Sequence, residues 1–114
     1  MDLHLAQSSV KGLGVLSATG EIDVGTSMLL QPSLWKLIDD NIGRTVAFDV
    51  RGVGSIDHLG LGVLVGALAR AARYQGDLLL ICGPSRLLDL LTVSRLDRAF
   101  RIYPTVLDAT EAIS

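Results

Sequence analysis

The segment Thr45-Val46-Ala47-Phe48-Asp49-Val50 constrains this chain more than any other. It is short, β-branched in part and almost continuously apolar, the pattern of a strand covered on both faces and central in its sheet. After a glycine-containing loop over residues 51–57, apolar residues recur with a helical period over 59–74, and a turn follows at Gln75-Gly76. A second apolar run then spans Leu78 to Cys82. Strand, helix and strand in that order predict an α/β layer.

The flanking segments extend the same alternation. Val15, Leu16 and Ala18 lead through Thr19-Gly20-Glu21-Ile22-Asp23 as a strand ending in a polar loop. From Thr26 onward Leu30, Leu34, Leu37 and Ile38 mark the apolar face of a helix that stops near Asn41 and Gly43. Pro32 lies inside it and lacks a backbone donor, so either the preceding turn is distorted or the helix proper begins close to the proline. Gly83-Pro84-Ser85 opens a third helix over Arg86 to Val93, Phe100-Arg101-Ile102 reads as a short edge strand, and residues 105–113 form a last helix with Thr105 as its cap. No linker or repeat divides the chain. Residues 1–114 are therefore read as one α/β domain, a small mixed sheet covered mainly on one side by about four helices.

Composition narrows the function. At 114 residues and 49% hydrophobic content the chain can bury a core, and with only 4% aromatic residues that core is aliphatic. A domain of this length has a radius of gyration of roughly 13 Å. The net charge is −2, and no two Lys or Arg are adjacent, which disfavours a partner made of nucleic acid. The longest apolar stretch, Leu59 to Ala69, falls short of the ~20 residues of a membrane span, and Met1-Asp2-Leu3-His4 does not open a secretory signal. The single cysteine, Cys82, follows Leu80 and Ile81 and reads as a small buried residue in a reducing cytoplasm.

Catalytic chemistry is thinly supplied. His4 and His58 are the two histidines, with no serine elbow or neighbouring cysteine to activate and no metal-ligand spacing. Gly60, Gly62 and Gly66 give G-x-G-x-x-x-G, one residue too long for a dinucleotide fingerprint. Glu21, Asp23, Asp49 and Asp57 can converge at strand ends, where carboxylates more often cap helices and turns. The expectation is no enzyme, no cofactor and no metal.

The 59–74 helix carries the most functional information. At 100° per residue Leu61, Leu64, Val65, Leu68 and Ala72 gather on one side, read as the side facing the sheet. The other side carries Leu59, Gly62, Val63, Gly66, Arg70 and Arg73. Each glycine inside a helix costs roughly 0.5–1 kcal/mol relative to alanine, so Gly62 and Gly66 require a reason. Either another helix of the domain packs over this face, or a partner approaches the bare backbone there. Ser55-Ile56-Asp57-His58 precedes the helix, with Asp57 placed as an N-cap at a terminus that favours anions.

Four segments in register, Gly20-Glu21-Ile22-Asp23, Val46-Ala47-Phe48-Asp49-Val50, Ile56-Asp57-His58-Leu59-Gly60-Leu61-Gly62-Val63-Leu64 and Leu96-Asp97-Arg98-Ala99-Phe100, resemble STAS domains, particularly bacterial anti-sigma factor antagonists. The resemblance implies a protein that binds an anti-sigma factor, a serine kinase with a bound ATP, and so frees a sigma factor for transcription. Family members usually read Asp-Ser-Ser-Gly-Leu in the central loop, and the kinase phosphorylates the second serine. Here the loop reads Asp57-His58-Leu59-Gly60-Leu61, so the family position holds Leu59, which has no hydroxyl. Ser55 and Thr26 are the alternative acceptors nearby, both read as ordinary loop and cap residues. His58 is read as a plain polar contact.

Two function classes follow. The first is an interaction module that binds the anti-sigma factor through Asp23, Thr26, Asp57, His58, Leu59, Gly62, Val63 and Gly66, as a monomer or weak homodimer, without nucleic acid or membrane. The second is a sensor of a small ligand such as a nucleotide or lipid, for which the basic groups are Arg51, Arg70 and Arg73. The apolar, glycine-rich face favours the first.

Overall fold

A computed structural model describes residues 2–113. A five-stranded sheet in the order β1-β2-β3-β4-β5 carries β1 (Leu3–Val10) antiparallel to β2 (Leu13–Ile22), with β2, β3 (Thr45–Ile56), β4 (Asp77–Ile81) and β5 (Ile102–Tyr103) mutually parallel. Helices α1 (Val24–Asp39), α2 (His58–Arg73) and α3 (Arg86–Val93) make the three crossovers, and α4 (Val106–Ile113) ends the chain. The radius of gyration is 12.7 Å. The mixed α/β sheet expected from the sequence is therefore present.

Two apolar layers hold the sheet. Leu16, Phe48, Val50, Leu78 and Leu80 pack under Leu30, Leu34, Leu37 and Leu64 from α1 and α2 and under Leu87 and Leu91 from α3. Alternate residues Leu13, Val15, Ala47, Leu79 and Ile81 point to the opposite face, where Ala109 of α4 covers them. The coverage is thus lopsided, three helices against one. Every large side chain of β4 is fully buried, as the apolar run required. Asp49 is the polar exception on β3, and it is held by Arg51 through two parallel bonds, Nε to Oδ1 at 3.0 Å and Nη2 to Oδ2 at 2.8 Å.

Four sequence expectations are corrected. Residues 51–56 continue β3 instead of forming a loop, pairing Gly52 with Thr19, Val53 with Gly20 and Ile56 with Ile22 across two irregularities in β2. Gly52 permits this approach, since a Cβ there would lie 2.9 Å from the Ala18 carbonyl oxygen. Helix α1 starts at Val24 and runs through Pro32. The carbonyl of Met28, which a donor at residue 32 would have met, belongs to a residue 77% exposed, so the lost bond falls on the solvent side. The edge strand is Ile102–Tyr103, and Phe100 is buried in the main core. Finally, β1 had no counterpart in the sequence reading. It is joined to β2 by Lys11-Gly12, both at positive φ (51° and 83°), a two-residue type I′ hairpin turn.

The third helix matches its expected range, capped by Ser85, whose hydroxyl accepts from the Leu88 amide at 3.2 Å. Thr105 accepts from the Asp108 amide at 3.1 Å at the start of α4. Among the described residues no helix is long and apolar enough to cross a membrane, and no group of His, Cys, Asp or Glu can hold a metal ion.

Candidate docking site

Strands β2 and β3 are parallel, so α1 and α2 begin side by side at the same pole of the molecule. Each start is built by an aspartate. Asp23 Oδ1 accepts from the Thr26 amide at 3.0 Å, and the Thr26 hydroxyl oxygen accepts from the Asp23 amide at 2.8 Å, a reciprocal box at the head of α1. The same hydroxyl donates to the Glu21 carbonyl oxygen at 2.8 Å. Asp57 Oδ1 accepts from the Gly60 amide at 2.9 Å, and the Asp57 amide donates to the Ile22 carbonyl oxygen at 3.0 Å, which ties the two helix starts together. The Thr26 amide bond holds the Asp23 carboxyl below the ordinary carboxylate range. Asp49 lies apart from this pole in its pair with Arg51.

The face of α2 resolves into three parts. Toward the sheet lie Gly60, Leu64, Ala67 and Ala71, all buried. Val65, 46% exposed, and Ala72 were expected there and are on the surface instead. The small residues let α2 sit close to its neighbours, and this rotates the buried stripe away from the one hydrophobicity alone selects. Gly60 is part of that close fit: a Cβ would lie 2.5 Å from Ile22 Cγ2 and 2.7 Å from Ile56 Cγ1.

Toward α1 lies Gly66, and here another helix of the domain packs over the glycine. A Cβ at Gly66 would stand 3.3 Å from Trp35 Cη2, so α1 covers this level. One turn further Arg70 sits 5.6 Å above the Trp35 ring and clasps Asp39 through Nε and Nη2 at 2.9 and 2.8 Å. Gly66 is therefore a packing position and not part of the open surface. Toward the pole the cover ends. A Cβ at Gly62 would meet nothing within 4 Å, Leu59 is 54% exposed and His58 is exposed, while Val63 is half-buried against the core.

The ties Trp35–Gly66 and Asp39–Arg70 share an offset of 31 residues. Continued toward the pole, the same offset puts Met28 at the level of Leu59 and Gln31 at the level of Gly62, and at Gly62 the two helices no longer touch. Met28 is 77% exposed and Val24 64% exposed. Exposed apolar groups therefore stand on both helices near the pole, a strip formed by Val24 and Met28 on α1 and by Leu59 with the bare Gly62 on α2. From Met28 an open depression runs along α1, lined by Met28, Gln31, Pro32, Trp35, Lys36, Asp39 and Asp40, so the surface turns charged away from the pole. Val24, Met28 and Trp35 were not among the sequence candidates, although each falls off the Leu30-Leu34-Leu37 stripe and so was marked as outward by the period alone. Gly62→Ala should raise stability by about 0.5–1 kcal/mol, because the methyl meets open space and restricts the unfolded chain. Chemical denaturation checks this.

Of the remaining candidates, Ser55 is exposed on β3, two residues before the cap, whereas Thr26 is buried with its hydroxyl committed. Burial pushes the Cys82 thiol up, away from the reactive thiolate.

Comparison with known proteins agrees with this fold. In overall shape the chain is similar to an anti-sigma factor antagonist from Mycobacterium paratuberculosis, with a TM-score of 0.87 at 22% identity over 97% of this chain and 93% of the other. A putative anti-sigma factor antagonist from Thermotoga maritima superposes with a TM-score of 0.83 at 23% identity over 95% and 92%. The Bacillus cell fate determinant SpoIIAA in its phosphorylated form gives 0.72 at 16% identity over 97% and 100%. At these identities the likeness is one of fold. No curated protein matches the chain in sequence. The sequence profile of the STAS domain, however, matches residues 6–109, the whole sheet apart from the start of β1 and all but the end of α4. The chain belongs to the STAS domain family.

Proposed function

We propose that this protein is an anti-sigma factor antagonist, a regulatory binding protein whose α1–α2 pole docks a kinase-type anti-sigma factor and so releases a sigma factor. The observation that carries the reading is the apolar strip Val24, Met28, Leu59 and Gly62, open at the one end of the helix pair that α1 leaves uncovered. Exposed apolar surface of this kind marks a protein contact, and a bare backbone at Gly62 lets the partner approach closely. Asp23, Thr26 and Asp57 act in this reading by holding the pole in shape, and His58, Leu59, Gly62 and Val63 form the contact. Gly66 contributes only through its fit to Trp35.

The family's phosphorylation switch does not operate at this pole. Phosphate on a serine adds a charge of about −1.5 to −2 at neutral pH, enough to expel a partner from an apolar contact. Leu59 stands at the acceptor position and takes no phosphate, and the Thr26 hydroxyl is buried and engaged. Binding is thus constitutive with respect to the kinase activity of its partner. Incubation with a purified kinase-type anti-sigma factor and ATP should leave the wild type unmodified, while Leu59→Ser should gain a phosphate. Stoichiometric phosphate on the wild type, at Ser55 or elsewhere, would refute constitutive binding.

A ligand-sensing role draws little support from the geometry. Of the three arginines expected to serve it, Arg51 is locked to Asp49 and Arg70 to Asp39, and Arg73 is exposed at the end of α2 away from the pole. The depression beside Arg51 and Cys82 measures about 170 Å³, below the roughly 300–1,000 Å³ of ordinary small-molecule pockets. The depression along α1, at about 770 Å³, has the size but presents to an anion the carboxylates of Asp39 and Asp40 and a Lys36 already paired with Asp40.

A further inference from the structure

We infer that strand β1 is a self-association edge, on which a second copy of this chain pairs antiparallel to extend the sheet across a two-fold axis. The strand lies at the sheet margin with β2 on one side only. Its hydrogen-bonding parity is fixed by the hairpin: across a two-residue turn the flanking pair Val10 and Leu13 exchange both bonds, and alternate pairs follow. The Asp2 carbonyl oxygen accepts from the Glu21 amide at 3.1 Å, in step with that alternation. The even-numbered residues therefore bond to β2. The amides and carbonyls of Leu3, Leu5, Gln7 and Ser9 point outward along the free edge.

Edges of this kind normally carry a guard. Proline, a bulge, a row of charges or a very short strand prevents pairing with other chains. The opposite margin of the sheet has such protection, since β5 spans two residues. Strand β1 has none of it. It is eight residues long, Leu-His-Leu-Ala-Gln-Ser-Ser-Val, without proline, lysine, arginine or acid, and it pairs with β2 without irregularity. A row of open donors and acceptors on a regular, uncharged strand is a template for another strand.

The strand's own pattern selects a second copy as the occupant. A two-fold axis through Ala6 sets Leu5 opposite the mate's Gln7, Leu3 opposite its Ser9 and His4 opposite its Ser8. No like charges meet, the outward groups of Leu3, Leu5, Gln7 and Ser9 all find partners, and the smallest side chain of the strand faces itself at the axis. Helix α1 adds to this margin. Leu29, 57% exposed, lies about 120° around α1 from Trp35, on the flank turned away from α2 and over the β1 side. The same operation brings this leucine toward its mate. A single strand pair buries less than a standard interface, so the dimer is weak, with a dissociation constant on the order of 0.1–1 mM.

Two measurements test it on the intact chain. In the proposed register Ala6 faces Ala6 of the second copy as a non-hydrogen-bonded pair, with Cα atoms about 4.5 Å apart, within disulfide reach. Ala6→Cys should oxidise to a covalent dimer on a non-reducing gel at least about tenfold faster than Ser8→Cys, whose sulfurs lie out of register. Buried Cys82 takes no part. In parallel, sedimentation across the millimolar range should show reversible dimerisation of the wild type and none for Gln7→Pro, which removes one outward amide while leaving the ladder to β2 intact. Circular dichroism confirms that Gln7→Pro is folded. A wild type that stays monomeric throughout, a dimer that persists in folded Gln7→Pro, or equal cross-linking at positions 6 and 8 would each overturn the proposal.

Discussion

Gly62→Arg should weaken binding to the anti-sigma partner by at least about 100-fold while leaving the protein folded. A side chain at this position meets nothing within 4 Å of its Cβ, so the arginine has room in the free protein. Arginine is also a better helix former than glycine, and the midpoint of thermal unfolding should remain equal to or above that of the wild type. In the proposed complex the same side chain would occupy the space the partner needs and bring a charge into an apolar contact. A loss of 100-fold corresponds to about 2.7 kcal/mol, the scale of a central interface position. Calorimetric titration beside a thermal melt separates the two effects. A folded variant with unchanged affinity would remove the α1–α2 pole as the docking surface.

Two residues earlier on the same helix a much smaller change should do the opposite. Gly60→Ala is expected to cost about 1–3 kcal/mol, lowering the unfolding midpoint by about 5–20 °C in a domain of this size. The new methyl would lie 2.5 and 2.7 Å from carbons of Ile22 and Ile56. Both neighbours are β-branched, and Cγ2 and Cγ1 are attached directly to Cβ, so neither can swing aside without moving its strand. The relief of the glycine's helix penalty, at most about 1 kcal/mol, does not offset this overlap. A melt of Gly60→Ala that matches the wild type would show that α2 has slack against the ends of β2 and β3.

The contrast between Gly60 and Gly62 marks what could be read from the chain alone. Their spacing with Gly66 was plain in the sequence, but spacing does not assign a phase. Apolar size pointed to Val65 as inward, whereas the sheet side of α2 is built from Gly60, Leu64, Ala67 and Ala71, whose small volumes matter more than their hydropathy. The contact that fills Gly66 comes from Trp35, far away in sequence, and no local pattern announces it. Leu59 and Gly62 were legible as lying off the sheet side because they fall outside either choice of stripe, but whether another helix covers them was not.

The fold divides in the same way. Long apolar runs such as Val46–Val50 and Leu78–Ile81 identified the central strands, since burial on both faces leaves an unmistakable composition. Strand β1 escaped because Gln7-Ser8-Ser9 neither alternates nor carries β-branched residues, and its pairing is dictated by the Lys11-Gly12 turn. The second half of β3 escaped because Arg51, Gly52 and Gly54 look like loop. Only the neighbouring, irregular β2 makes an extended path there favourable.

The most direct measurement is the affinity of the wild-type chain for a purified kinase-type anti-sigma factor, titrated with and without ATP, followed by the intact mass of the chain. The predicted result is a stoichiometric complex of the same affinity in both conditions and a chain that carries no phosphate, as the proposal that Leu59 stands at the family's acceptor position requires. A complex that dissolves on addition of ATP as the chain gains a phosphate would contradict constitutive docking, and the absence of any complex would contradict the docking pole itself.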